Sequence, residues 1–217
     1  EKMLETRKYT LTVEGETEKW YFLWLKDQIN KYEERTYNAA IVPKVQQSPR
    51  SFYKGTNAKV TPEVFHICDV ESKQQVHIEK FQGILKEMKE AKTLKNIKYK
   101  LGYSNLTFEL WMILHKNDCF GSLYDRKQYL SLIQKCFNEK FEDLEHYKQE
   151  AAFKRCLNKL TLDDVRSAIK RGKYLSDKNG RDGKKVIKYS GYSYYEDNPA
   201  LSINEIVERI MIECGVL

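Results

Sequence analysis

The chain reads as an α/β protein: a mostly parallel sheet flanked by helices, with a helical C-terminal part. Three observations predict this. Short β-type runs alternate with helical periodicity through the first half of the chain. One of those runs, Val64-Phe65-His66-Ile67-Cys68, leans apolar throughout, as in a strand buried on both faces. Beyond Asp118 the periodic segments are helical, apart from one polar stretch.

Taken in order, Tyr9-Thr10-Leu11-Thr12-Val13 alternates and predicts the first strand, and Glu16–Tyr32 carries helical spacing. Ala39–Val45 predicts a second strand and the polar residues 46–57 a loop. The third strand, ending in Asp69, is followed by a helix over Gln74–Thr93, with Val76, Phe81, Ile84, Leu85 and Met88 on one face. Asn96–Leu101 predicts a fourth strand and Phe108–His115 a short apolar helix. Residues 1–118 thus form the expected α/β core. In 119–217, helices are expected over Tyr124–Asn138, Lys148–Asn158, Leu162–Lys173 and Ile203–Cys214, with Thr161 as an N-cap. A glycine-, lysine- and tyrosine-rich loop at about 174–198 separates the last two, and both parts are expected to pack as one unit.

Composition excludes several classes. The 217 residues are 41% hydrophobic, enough for a core and against wholesale disorder. No apolar run reaches the eighteen or so residues that span a bilayer, and no signal-peptide pattern opens the chain. The five cysteines, Cys68, Cys119, Cys136, Cys156 and Cys214, have no zinc-type spacing and fit a reducing cytoplasm. A homo-oligomer is compatible with the sequence.

Carboxylates recur at predicted strand ends. Glu14-Gly15 follows the first strand, Asp69-Val70-Glu71 the third, and Glu109 the fourth. In a parallel sheet these ends meet at one edge, where open α/β folds bind ligands. Clustered carboxylates repel unless a cation joins them, and magnesium prefers oxygen ligands. Each acid also has a plain reading: Asp69 as a turn or cap, Glu18 and Glu109 as first-turn residues favoured by the helix dipole. His115 reads as a general base or phosphate contact, or as a packed residue; Lys73 reads as a phosphate contact from the same edge.

The formal charge of +7 is uneven: between Lys170 and Tyr189, eight basic residues face two acidic ones, a net +6. Lys178, Arg181, Lys184, Lys185 and Lys188, with Tyr192 among neighbouring tyrosines, suit phosphates and unpaired bases. RNA or DNA is therefore an expected partner; the alternative is a solvated, mobile loop.

The Glu-Gly after a strand, with a later acidic pair spaced by one residue, resembles the Toprim domain of primases, type II topoisomerases and overcoming-lysogenization-defect nucleases. Glu14-Gly15-Glu16-Thr17-Glu18 with Tyr21-Phe22, Ser104-Asn105 with Phe108-Glu109-Leu110-Trp111 and Leu114-His115, and Asn198-Pro199-Ala200 resemble the RloB-like family, also called AbiLii. The resemblance implies a Toprim-like core and an antiphage, abortive-infection role beside a partner ABC- or AAA-type ATPase. It implies that Glu14, Asp69 and Glu71 bind Mg2+ (or Mn2+), with Glu14 also serving as general acid/base and Glu109 as a further ligand or acid/base. Asp69-Val70-Glu71 departs from the usual Asp-x-Asp. The implied activity is a nuclease acting on RNA or DNA. The alternatives are a non-catalytic nucleic-acid-binding or regulatory subunit of the ATPase, and a nucleotidyl transferase.

Overall fold

A computed structural model describes residues 3–217. The first half lays down β1 (Thr6–Val13), α1 (Glu16–Lys31), β2 (Asn38–Val45), α2 (Pro49–Lys54), β3 (Glu63–Asp69), α3 (Gln75–Lys95), β4 (Lys98–Asn105) and α4 (Glu109–Leu114). The second half adds α5 (Lys127–Phe137), α6 (Leu144–Tyr147), α7 (Glu150–Leu157), α8 (Leu162–Arg181), β5 (Val186–Tyr189), β6 (Tyr192–Tyr195), β7 (Ala200–Leu201) and α9 (Ile203–Glu213). The main sheet runs β2-β1-β3-β4-β7, with β1 to β4 parallel and β7 antiparallel to β4. The α/β class with a mostly parallel sheet is therefore as expected.

Local sequence explains the elements that aim the site. In α1, Tyr21, Phe22, Leu25 and Ile29 form a buried stripe at helical spacing, and Glu16 and Glu18 complement the dipole in the first turn. Thr161 and Asp164 form a capping box that starts α8, each side chain accepting from the other's backbone N–H. In β3, Val64 and Cys68 face one side of the sheet while Phe65 and Ile67 face the other, and all four are buried.

Two cores result. One, between α2, α3 and the β5–β6 hairpin on one face of the sheet, includes Val64, Phe81, Met88, Tyr99, Tyr103 and Tyr194. The other, larger core extends from Tyr9 and Leu11 through Trp111 to Met211 and Val216. It joins the 1–118 and 119–217 parts: Tyr9 Oη donates to Glu213 at 2.9 Å.

Besides adding α6 and β7, the structure departs from the sequence expectations at four places. A short helix, α2, lies inside the expected 46–57 loop, capped by Ser48. β4 continues through Gly102 to Asn105, because the missing Cβ lets Ile206 and Ile67 close over the strand. α8 continues past Lys173 to Arg181; Leu175 and Asn179 are buried, and Gly172 faces Asn204 at a distance no Cβ tolerates. The expected loop at about 174–198 is therefore the end of α8 followed by the β5–β6 hairpin, turning at Ser190-Gly191 with φ of 50° and 84°.

A Cβ at Gly102 would stand 2.7 Å from both Ile206 Cδ1 and Ile67 Cδ1. Gly102→Ala is expected to lower unfolding free energy by about 1–3 kcal/mol through overpacking. Gly83→Ala, in the exposed interior of α3 with nothing within 4 Å, should raise it by about 0.5–1 kcal/mol. Urea denaturation of both variants checks the pair; equal stabilities would contradict the packing described.

Candidate functional site

The C-terminal ends of β1, β3 and β4 open on one polar pocket of about 260 Å3. Glu14 leaves β1, Asp69 ends β3, and Glu109 begins α4 just after β4. All three line the pocket together with Glu16, Glu18 and Glu71. Against these six carboxylates stand three cations, Lys80 from α3, Arg126 at the start of α5 and Lys148 before α7. At Gly15 the backbone passes close to Glu18: a Cβ there would stand 3.1 Å from Glu18 Oε2, which would have to shift.

The acids are held unequally. Burial, then the charges of Glu18 and Glu71, push the Glu14 pKa up to about 7 against the opposing charge of Lys80. Asp69 is raised well above the carboxylate range, first by burial and then by Glu14, Glu18 and Glu109; Arg126 Nη2, 3.6 Å from Oδ2, works the other way. Glu18 is also raised by burial, partly offset by its backbone hydrogen bond and by the 2.9 Å bond from Thr17 Oγ1. Glu109 accepts from Thr107 Oγ1 and lies 4.0 Å from Lys148 Nζ. At Glu71 the hydrogen bond and charge of Lys80, helped by His77 at 3.3 Å, outweigh burial and lower the pKa.

Glu71 also carries a backbone constraint. Its φ is 69°, in the left-handed region that favours glycine, and its N–H donates to Leu106 O at 2.9 Å. A charged residue kept in that conformation beside other acids marks the turn as one held by its surroundings.

The donor chemistry suits a hard divalent cation: the set is all oxygen, and Glu14 Oε1 is buried without a hydrogen-bond partner. Among the described residues, however, no three His, Cys, Asp or Glu side chains stand as a ready-made cation cage. Lys80 and Arg126 engage Glu71 and Asp69 instead.

His115, expected to contribute chemistry, does not line this pocket. It closes the opposite end of α4, 1% exposed, with Nδ1 2.8 Å from Trp111 O and Nε2 2.9 Å from Tyr21 Oη. Burial pushes its pKa down to about 4, so it is a neutral core histidine that ties α4 to α1.

The expected nucleic-acid residues are also rearranged. Lys73 pairs with Asp197, Lys178 of α8 with Asp182 just past the helix end, and Lys185 with Glu196 at 3.2 Å. Arg181 lies 5.5 Å over the Tyr174 ring. Tyr192 is half-buried, its hydroxyl donating to Tyr99 O at 3.2 Å. Lys184 and Lys188 have no ion pair among the described residues. The segment is thus an ordered hairpin with much of its charge matched, rather than a free basic loop.

Sequence reasoning did not find Lys80, Arg126 or Lys148. Lys80 lies nine residues after Glu71 but on the exposed side of α3, where a lysine carries no distinguishing signal, and Arg126 and Lys148 reach the pocket from segments further along the chain.

Two measurements check the electrostatics. The folded pKa of Glu14 exceeds its ordinary value of 4.5, so its contribution is fully present below that value and is lost as pH rises through about 7. Asp69 acts in the same direction. The melting temperature of Glu14→Gln relative to wild type should therefore climb between about pH 5 and pH 8; a flat difference would contradict the burial of Glu14 among acids. At Glu71, both Glu71→Ala and Glu71→Gly remove the pairs to Lys80 and His77, but only glycine relieves φ. The glycine variant should be the more stable by about 1 kcal/mol, as read by chemical denaturation.

No curated protein and no solved structure matches the chain. The family of RloB-like proteins matches residues 9–210, from within β1 to within α9, taking in every residue of the acidic pocket. The match covers nearly the whole chain, and the protein belongs to the RloB-like family.

Proposed function

We propose that this protein is a divalent-cation-dependent nuclease that hydrolyses phosphodiester bonds in RNA or DNA, with a Toprim-like core. The observation that carries this reading is the meeting of Glu14, Glu18, Asp69 and Glu109 in one pocket, three of them with raised pKa values. Buried carboxylates that repel one another are an expensive arrangement for stability alone. They suit a site that exchanges protons or takes up a cation.

In this reading Glu14, Asp69 and Glu71 hold Mg2+ or Mn2+. When bound, the cation neutralises phosphate charge and makes a coordinated water easier to deprotonate. Glu14, poised at about 7, exchanges a proton near neutral pH. Glu109, oriented by Thr107, is the second proton acceptor. Arg126 and Lys148 attract the phosphate and offset the charge that develops on its oxygens. Taking up substrate and cation moves Arg126 and Lys80 from carboxylate to phosphate partners.

Membership of the RloB-like family, with the residues that suggest it, supports a role in antiphage defence by abortive infection, beside an ABC- or AAA-type ATPase. All five cysteines are free thiols, which supports a cytoplasmic setting. No helix among the described residues is long and apolar enough to cross a membrane. A second reading, a non-catalytic nucleic-acid-binding or regulatory subunit of that ATPase, draws on one observation, that the acids form no ready-made cation cage.

End-labelled RNA, single-stranded DNA and duplex DNA, incubated with the protein and Mg2+ or Mn2+, separate the two, alone and with the ATPase. The nuclease reading expects cleavage of at least one substrate, abolished by EDTA. Glu14→Gln and Asp69→Asn should slow it on the order of 10²-fold or more. Absence of cleavage under every condition would leave the binding-subunit reading.

A further inference from the structure

β7 covers β4 only at Ser104 and Asn105, so the earlier part of β4 is an open sheet edge. Beside that edge runs a groove of about 850 Å3, separate from the acidic pocket. α3 contributes Lys89 and Lys92, β4 contributes Lys98 and Lys100, and the β5–β6 hairpin forms the facing wall. None of these four lysines has an ion pair among the described residues, in contrast with several lysines of the α8–hairpin segment. Among the described residues Glu205 is the single carboxylate lining the groove, leaving a formal charge of four minus one, or +3.

An open edge ordinarily invites a peptide strand, which needs both the N–H and the C=O groups of its host. Here the carbonyls are engaged. Tyr192 Oη donates to Tyr99 O at 3.2 Å, and Ser202 Oγ donates to Leu101 O at 2.9 Å. Tyr103 is satisfied too: its N–H donates to Ser202 Oγ at 3.1 Å, and its carbonyl accepts from Ser202 N at 2.9 Å. A residue's N–H and C=O point to the same side of a strand, so the N–H groups of Tyr99 and Leu101 face this edge, where no strand meets them. The edge offers donors and positive charge while its acceptors are occupied. That combination suits a ligand rich in anionic oxygen better than a β-strand. Tyr192 and Tyr195, both half-buried in the facing wall, add aromatic surface of the kind on which unpaired bases stack.

We propose that this groove binds a single-stranded polynucleotide, its phosphates on Lys89, Lys92, Lys98 and Lys100. The same strand, β4, leads from the groove to the acidic pocket; at about 3.3 Å per residue its ends stand roughly 25 Å apart. A polynucleotide seated along the open part of the edge runs in the direction of Glu109, with β7 lying between at Ser104 and Asn105. Its use in cleavage rests on the nuclease reading above; its binding does not.

Fluorescence anisotropy with a labelled single-stranded oligonucleotide, RNA and DNA in turn, tests the groove over a salt series. Lys98→Ala/Lys100→Ala should weaken binding about tenfold and lower the slope of log K against log salt by about 1.4, the share of two phosphate contacts. Lys31→Ala/Lys140→Ala removes the same charge elsewhere and should stay within about twofold of wild type. All four lysines are exposed, so unchanged melting temperatures are expected for both variants. Equal binding by the two double variants overturns the groove. So does polyglutamate that competes as well as unlabelled oligonucleotide, which would assign the groove to an acidic peptide. If Lys98→Ala/Lys100→Ala loses binding while wild type cleaves nothing, the groove stands and the nuclease reading falls. If its binding is unchanged while Glu14→Gln abolishes cleavage, the nuclease reading stands and the groove falls.

Discussion

Confinement of like charge at one sheet edge is the constraint around which the rest of the molecule is arranged. Parallel strands joined by crossovers bring their C-terminal ends to the same side. Here that side receives Glu14, Asp69 and Glu109, with Glu18 and Glu71 close by. Burial sharpens the repulsion, because a low-dielectric surrounding weakens neither Coulomb interaction nor desolvation. The protein answers with raised pKa values on the deepest acids and with Lys80, Arg126 and Lys148 brought from three different segments. The buried aromatic residues behind the pocket, Tyr21, Phe108 and Trp111, hold α1 and α4 so that the acids cannot simply move apart.

The acids were legible in the sequence because each follows a strand directly: the period of the strand and the charge after it lie within a few residues. The three cations were not, since nothing near Arg126 or Lys148 distinguishes a pocket lysine or arginine from a solvated one. His115 misled for the same reason. An apolar helix ending in histidine fits catalysis and packing alike, and the hydroxyl that decides the matter belongs to Tyr21, on another helix. Gly102 and Gly172 look like ends of elements, yet each marks a close approach by α9, through Ile206 and Asn204. The hairpin read as a loop because its ordering contacts, Tyr192 to Tyr99 and Tyr195 N–H to Tyr103 Oη, join it to a distant strand.

The charge surplus shows the difference between composition and surface. The run from Lys170 to Tyr189 holds most of the formal excess, but Lys178 and Lys185 are matched by Asp182 and Glu196 just beyond or within it. The stretch from Lys86 to Lys100 is as rich in basic residues, and there the fold leaves Lys89, Lys92, Lys98 and Lys100 beside one sheet edge with no ion pair among the described residues. Local density of charge in a sequence is therefore a weaker guide than which charges lack partners after folding.

The bond between Tyr9 and Glu213 links the first strand of the sheet to its last helix, 204 residues apart. β7 and α9 supply the final cover of β4, the strand that delivers Glu109. Contacts of such sequence separation slow folding, because a long loop must close before they form. During synthesis, then, a chain still lacking Ala200 onward has neither its sheet completed nor its larger core closed. A fragment ending before Ala200 would carry Glu14, Asp69 and Glu109 without β7 and α9, the elements that cover the strand leading to Glu109.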